Sequence, residues 1–172
     1  ERQSRNDRTA QEGPRLPEPL PVIAVLDNLR SAFNVGSIFR TSEAARLREL
    51  VLCGITPYPP NERLDRTALG CVHSVAWRHV VSTTAAVREA RQAGYRIYAC
   101  EVAPGARSLR EVSFPRRPLA FVFGHEVAGI APEVMALADA IVEIPLHGRK
   151  NSLNVATSYG IVLFEVLRQW GY

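Results

Sequence analysis

The sequence predicts an α/β fold with a mostly parallel sheet and flanking helices. Five short stretches are almost continuously apolar, which is typical of strands covered on both faces. Helical patterns lie between several of them, and this alternation favours a parallel sheet. At 172 residues with 47% hydrophobic side chains, the chain has the size of one domain and can bury a full core.

The predicted strands span residues 22–26, 50–53, 97–100, 119–123 and 141–144. Apolar residues at helical spacing predict helices over residues 34–47, 83–93 and 132–138, and a closing helix from Ser152 to Trp170. Residues 56–77 contain Pro57, Pro59 and Pro60, which predict a long loop.

Residues 1–21 precede the first predicted strand and are rich in proline and charge, with few apolar side chains. Such a stretch buries too little apolar surface to offset the entropy of ordering. We therefore expect a flexible tail over residues 1–21 and a folded domain over residues 22–172.

The net charge is +4 with an isoelectric point of about 9.3, and Lys150 is the only lysine. Arginine pairs well with phosphate, so the excess is compatible with a nucleic-acid partner, although a GC-rich genome produces the same bias.

Three widely spaced cysteines, Cys53, Cys71 and Cys100, argue against a disulfide framework and against a zinc cluster. No apolar run approaches the length of about 20 residues that a membrane helix needs. The sequence therefore predicts a cytoplasmic protein without a membrane partner.

Three polar clusters follow predicted strands, at residues 27–40, 123–130 and 144–155. In an open α/β sheet, ligands bind at the carboxyl ends of the strands. We expect Asn34 and Ser152 to cap helices, Gly36 to allow close packing and Gly124 to let a ligand approach the backbone.

Several catalytic motifs are absent. The second cluster lacks the Lys and Ser/Thr of a phosphate-binding loop, and no histidine follows His125-Glu126 at zinc-ligand spacing. Neither a G-x-G-x-x-G fingerprint after the first strand nor a G-x-S-x-G nucleophile elbow occurs. The four histidines are scattered, so no metal site is predicted, although His125 and His147 are candidates to line a site.

Together, NVGSIFR at residues 34–40, FGHEVAG at 123–129 and IPLHGRKNSLNV at 144–155 resemble the three motifs of SpoU-type (TrmH-like) RNA 2'-O-ribose methyltransferases of the SPOUT superfamily. The resemblance covers nearly all of residues 22–170. It implies an α/β fold with a deep C-terminal trefoil knot, which is a rare exception to unknotted topology. It also implies that S-adenosylmethionine is the cofactor and that the protein is a homodimer.

The resemblance assigns roles to particular residues. By similarity, the catalytic set is Arg40, Asn34, Glu126, Ser152 and Asn154, and the cofactor contacts are Cys100, Gly124, Ile144, Leu146, Ser152 and Leu153. Many family members carry separate RNA-binding extensions, whereas here a short tail precedes the domain. Transfer and ribosomal RNA both remain possible targets, the modified nucleotide is open, and so is the need for an accessory protein.

Two accounts of Arg40 are open. An arginine side chain stays protonated in proteins, so we prefer that Arg40 fixes an RNA phosphate and stabilises the developing alkoxide. The other account makes it the general base. Two alternative functions also remain: methylation of an RNA base, which the N-x-G-x-x-x-R pattern disfavours, and RNA binding without catalysis, which the filled catalytic positions disfavour.

Overall fold

The structure, a computed structural model, describes residues 18–172. Its strands are β1 Leu20–Asp27, β2 Leu47–Cys53, β3 Trp77–Val80, β4 Arg96–Cys100, β5 Arg107–Ser108, β6 Leu119–Gly124 and β7 Ala140–Glu143. Its helices are α1 Ala32–Ala44, α2 Glu62–Ala68, α3 Thr83–Gln92, α4 Pro132–Met135 and α5 Val155–Gln169. The predicted tail lies outside the described residues up to residue 17, and β1 begins two residues before the expected boundary.

Within the described residues, the strands form one sheet in the order β3-β2-β1-β6-β4-β7-β5, and every pairing is parallel. The α/β class with a parallel sheet is therefore confirmed. Because parallel strands end at the same edge, the segments that follow β1, β4, β6 and β7 are brought together.

Helices cover both faces of the sheet. Along β1, Val22, Ala24 and Leu26 belong to the core shared with α1, α2 and α5, whereas Ile23 and Val25 belong to the core shared with α3 and α4. Successive side chains of a strand point to opposite faces, so two covered faces require a continuous apolar run.

Two predicted helix caps are wrong. The N-cap of α1 is Ser31, whose hydroxyl accepts a hydrogen bond from the Asn34 N–H at 3.2 Å, so Asn34 lies inside the first turn. The N-cap of α5 is Asn154, two residues beyond Ser152. Both predictions placed the cap on a polar residue of the right kind, and the structure selects a neighbouring one.

The predicted loop over residues 56–77 contains α2 and a single 3₁₀ turn at Cys71–His73, and it ends at the unpredicted edge strand β3. Helix α2 packs closely on α1 at Gly36, where a Cβ atom would contact Leu64 and Thr67, so the expected close approach is confirmed. The four residues of β3 are only half-buried and carry no apolar run.

Residues 18–172 include no helix long and apolar enough to cross a membrane.

Candidate functional site

A cavity of about 640 Å³ opens at the carboxyl ends of β4, β6 and β7. Its size falls in the range of small-molecule sites, about 300–1,000 Å³. Three segments supply most of the wall: residues 100–103 after β4, residues 123–130 after β6 and residues 142–155 after β7. Pro132 and Met135 of α4 and Ser158 and Val162 of α5 complete it.

The six residues expected to contact a cofactor all line this cavity; they are Cys100, Gly124, Ile144, Leu146, Ser152 and Leu153. Of the expected catalytic set, Glu126, Ser152 and Asn154 also line it. Asn34 joins them through hydrogen bonds, whereas Arg40 is not among the described residues that line the wall.

Glu126 accepts three hydrogen bonds from the start of α1. Its Oε2 accepts from the Arg30 N–H at 2.9 Å, and its Oε1 accepts from the Ser31 N–H at 3.0 Å and the Asn34 amide at 3.1 Å. Burial raises the pKa of Glu126, but hydrogen bonds to its carboxylate lower it by more, so the pKa lies below its ordinary value. The donors are the backbone N–H groups of Arg30, Ser31 and Glu126 itself and the side-chain amide of Asn34. An ionised carboxylate held by three donors acts as a clamp on α1 and is poorly suited to accept a proton.

Asn34 connects Glu126 to the start of α5 by hydrogen bonds. Because its amide nitrogen donates to Glu126, its Oδ1 is left to accept a hydrogen bond from the Asn154 amide at 3.0 Å. The Oδ1 of Asn154 accepts from the Ala156 and Thr157 N–H groups at 2.9 and 3.2 Å, which caps α5. A chain of hydrogen bonds therefore joins one residue from each of the three polar clusters.

The loop over residues 125–130 folds back on itself. His125 and Gly129 exchange two backbone hydrogen bonds, and the Nδ1 atom of His125 accepts from the Val127 and Ala128 N–H groups at 3.0 and 3.1 Å. A Cβ atom on Gly124 would meet the backbone of Gly129 and Ile130. The side chain missing at Gly124 thus makes room for the protein's own loop, and the approach of a ligand to the Gly124 backbone, which lines the cavity, stays a prediction.

Cys100 contributes an uncharged thiol to the wall, because burial raises its pKa, to which nearby Glu101 adds. His125 lines the cavity, whereas His147 is exposed and lies outside the wall.

Two carboxylates of the wall, Glu101 and Glu143, were not singled out from the sequence. A signal for both was present, because Glu101 directly follows the predicted strand 97–100 and Glu143 is the one charged residue of the predicted strand 141–144, next to its end. With Glu126 they place three carboxylates in the wall, and no lysine or arginine of residues 18–172 lines it. The cavity therefore favours a ligand that carries positive charge.

Arg40 lies on α1 with its side chain exposed. Its charge acts on Cys71: burial and Glu43 raise the pKa of that thiol, and Arg40 lowers it, with a net rise. The residues that follow Arg40 contact α5. Thr41 faces Gly160, and Ser42 shares a hydrogen bond of 2.6 Å with the Tyr159 hydroxyl.

Known proteins share this fold. The SpoU rRNA Methylase family matches residues 21–164. The tRNA (guanosine(18)-2'-O)-methyltransferase of Thermus thermophilus is 31% identical over 169 residues, which are 98% of this chain and 85% of the relative. The AdoMet-bound rRNA methyltransferase from Sinorhizobium meliloti is 31% identical with a TM-score of 0.80, and the match covers 88% of this chain and 60% of that one. The TrmH/SpoU tRNA modifying enzyme of A. aeolicus also has a TM-score of 0.80, with 27% identity over 90% of this chain and 77% of that one. Because the matched residues make up most of the sequence, the chain belongs to the SpoU rRNA Methylase family.

Proposed function

We propose that this protein is an S-adenosylmethionine-dependent methyltransferase that modifies a ribose 2'-hydroxyl of tRNA or rRNA. The observation that carries the proposal is the hydrogen-bonded chain Glu126–Asn34–Asn154, which joins all three motifs at one cavity. The Thermus relative, named as a tRNA 2'-O-methyltransferase, and the AdoMet-bound structure support the same activity.

The cavity fits the cofactor by charge and by polarity. S-adenosylmethionine carries a sulfonium, an ammonium and a carboxylate, so its net charge is positive, and three carboxylates face it with no described cationic side chain beside them. Ile144, Leu146 and Leu153 offer apolar wall for the adenine ring. When bound, the cofactor supplies an electrophilic methyl group.

The residues of the chain then have to orient the acceptor ribose and stabilise charge on its oxygen. Glu126 holds the start of α1 close to the cavity. The hydrogen bonds of Asn34 and Asn154 fix the positions of the three polar clusters relative to one another. Ser152, exposed in the wall with its hydroxyl in no described hydrogen bond, is available to bind RNA or cofactor. We assign to Arg40 the RNA phosphate and the developing alkoxide, and the phosphate then relays the hydroxyl proton to solvent water.

The position of Arg40 leads us to propose a homodimer. Arg40 lies beside the contact between α1 and α5, outside the cavity wall of its own chain. On the outer side of α5, Ile161 and Phe164 are 39% and 49% exposed. They line a groove together with Leu109, Ile144 and Pro145, and the charged side chains of Arg110, Glu165 and Arg168 also line it. We infer that two subunits pack through this apolar surface and that Arg40 of one subunit serves the cavity of the other.

We further propose that the segment between β7 and α5 forms a trefoil knot with the loop after β6. The match to solved SpoU structures supports it. The three free cysteines fit a reducing, cytoplasmic location.

The product identifies the reaction. Alkaline cleavage of RNA uses the 2'-hydroxyl as its internal nucleophile, so a 2'-O-methyl group leaves the adjoining phosphodiester intact. Purified protein is incubated with methyl-labelled cofactor and bulk tRNA or rRNA, and the RNA is hydrolysed in alkali. We expect the label in alkali-resistant dinucleotides.

Two other outcomes would redirect the assignment. Label found only in mononucleotides would favour methylation of a base. Protein that binds RNA but neither binds nor consumes the cofactor would be a non-catalytic relative.

A further inference from the structure

Glu101 is a carboxylate of the cavity whose position is set by backbone hydrogen bonds. It directly follows β4, its Oε2 accepts from the Ile130 N–H at 3.1 Å, and its Oε1 accepts from the Val102 N–H at 3.0 Å. Gly129 makes this approach possible, because a Cβ atom there would lie 2.5 Å from Oε2 of Glu101. The carboxylate is thus held against the loop over residues 125–130 without the help of a ligand.

Each oxygen of Glu101 retains acceptor capacity. A carboxylate offers about four lone-pair positions, and the two backbone N–H groups occupy one on each oxygen. Within residues 18–172 no further N–H or O–H group donates to it. The side chain therefore offers two adjacent acceptors, and its best partner has two donors side by side.

The ribose of S-adenosylmethionine has such a pair in its 2'- and 3'-hydroxyls. The adenine edge fits less well, because its amino donor lies next to the N1 acceptor, which would face a carboxylate oxygen. The ammonium is a compact charge that needs no paired acceptors, and Glu143 offers it a carboxylate that has no described hydrogen-bond partner. Carboxylates also bind ribose hydroxyls in dinucleotide-binding folds.

We propose that Glu101 binds the ribose diol of the cofactor and thereby selects a ribonucleoside ligand. The inference rests on the proposed function, because it concerns the same cavity. It assigns Glu101 a specificity role toward the cofactor and no role toward the RNA.

Binding of cofactor analogues tests it without any need for activity. The Kd of S-adenosylhomocysteine and of its 2'-deoxy and 3'-deoxy analogues is measured by calorimetry for wild-type protein, Glu101→Gln and Glu143→Gln. In the wild type we expect each missing hydroxyl to weaken binding roughly tenfold to a hundredfold, the scale of a hydrogen bond to a charged group. In Glu101→Gln the three ligands bind with similar affinity. Glu143→Gln removes the same charge from the same cavity, but in this variant the deoxy analogues should still bind more weakly than S-adenosylhomocysteine. We call this difference in affinity the deoxy penalty.

The comparison separates this role from others. Loss of affinity that is equal for all three ligands, with the deoxy penalty intact, would show that Glu101 only supports the loop and would overturn the inference. The Kd of S-adenosylmethionine is measured in the same way. If Glu101→Gln loses affinity for S-adenosylmethionine but not for S-adenosylhomocysteine, and the deoxy analogues still bind more weakly, Glu101 contacts the sulfonium and the inference is overturned. Wild-type protein that binds neither ligand would overturn the proposed function itself.

Discussion

Gly124, the last residue of β6, and Gly148, in the segment after β7, lie at the same edge of the sheet, but their surroundings differ. A Cβ atom at Gly124 would meet the backbone of Gly129 and Ile130, whereas one at Gly148 would meet nothing within 4 Å. Backbone cannot yield as a flexible side chain does, so an added methyl group at Gly124 has to displace the loop over residues 125–130.

Substitution of these glycines by alanine is therefore expected to have unequal effects. Gly124→Ala should lower the free energy of unfolding by about 1–3 kcal/mol, the scale of overpacking, and should weaken S-adenosylmethionine binding through the displaced loop. Gly148→Ala should leave both near wild type, because its Cβ has free space and its φ is not in the left-handed region. Thermal unfolding and calorimetry measure the two quantities. Equal behaviour of the two variants would remove the loop-packing role given to Gly124.

At the scale of elements, the end of α5 is anchored to the segment that precedes β6. The Gln169 side chain accepts from the Phe114 N–H and donates to the Val112 carbonyl, both at 2.9 Å, and the Trp170 indole donates to the Phe114 carbonyl at 3.0 Å. Glu165 supports this arrangement, since its carboxylate accepts hydrogen bonds of 2.8 Å from Arg168 and from Gln169. Those hydrogen bonds, from Arg168 first and then Gln169, lower the pKa of Glu165 to about 2.

The lowered pKa predicts a dependence of stability on pH. Because the folded pKa is about 2 and the ordinary value is 4.5, the contribution of Glu165 is fully present above about pH 4.5 and is lost as the pH falls toward 2. The effect is small and weakens with salt, since the ion pair is on the surface. Urea unfolding between pH 3 and 6 should show a shallower loss of stability in Glu165→Gln than in wild type.

Glu111→Gln is the matched control, because it neutralises an exposed glutamate whose carboxylate has no described hydrogen bond. If the free energy of unfolding falls as steeply with pH in Glu165→Gln as in Glu111→Gln, the lowered pKa of Glu165 does not contribute to stability and the prediction is wrong.

At the scale of the whole molecule, the proposed dimer makes a prediction about shared active sites. Arg40→Ala and Asn154→Ala should each lower methyl transfer at least about a hundredfold, the scale of a lost positioned group. Arg40→Ala should still bind S-adenosylmethionine nearly as wild type does, because Arg40 lies outside the cavity wall of its chain. If each site takes Arg40 from one subunit and Asn154 from the other, a mixed dimer of the two variants contains one intact site.

Mixing and refolding the two inactive variants should therefore restore activity to roughly a quarter of wild type when subunits combine at random. Phe164→Glu places a charge in the apolar surface of α5, and it should give monomers that light scattering detects near 19.0 kDa. No recovery in the mixture, with dimers present, would place Arg40 and Asn154 in the same subunit's site. Full activity of a monomer would exclude the shared site altogether.

The sequence by itself determined five of the seven strands that residues 18–172 form, the fold class and the three motifs that hydrogen bonds join at the cavity. The continuous apolar runs were sufficient because a strand covered on both faces has to be apolar at every position, which is a local property of the chain. The sequence did not predict the two edge strands, β3 and β5, because their residues are not all buried and form no continuous apolar run.

Only the tertiary structure decided which site residues hydrogen-bond to one another and which residues cap the helices α1 and α5. Asn34 contacts Glu126 and Asn154, which lie 92 and 120 residues away, and neither contact has a local signature. Ser31 and Asn154 cap their helices, rather than Asn34 and Ser152, because distant groups fix where each helix starts. The sequence marks Glu101 only as a residue that follows a strand, and its unfilled acceptor positions can be recognised only when every donor around them has a place in the structure.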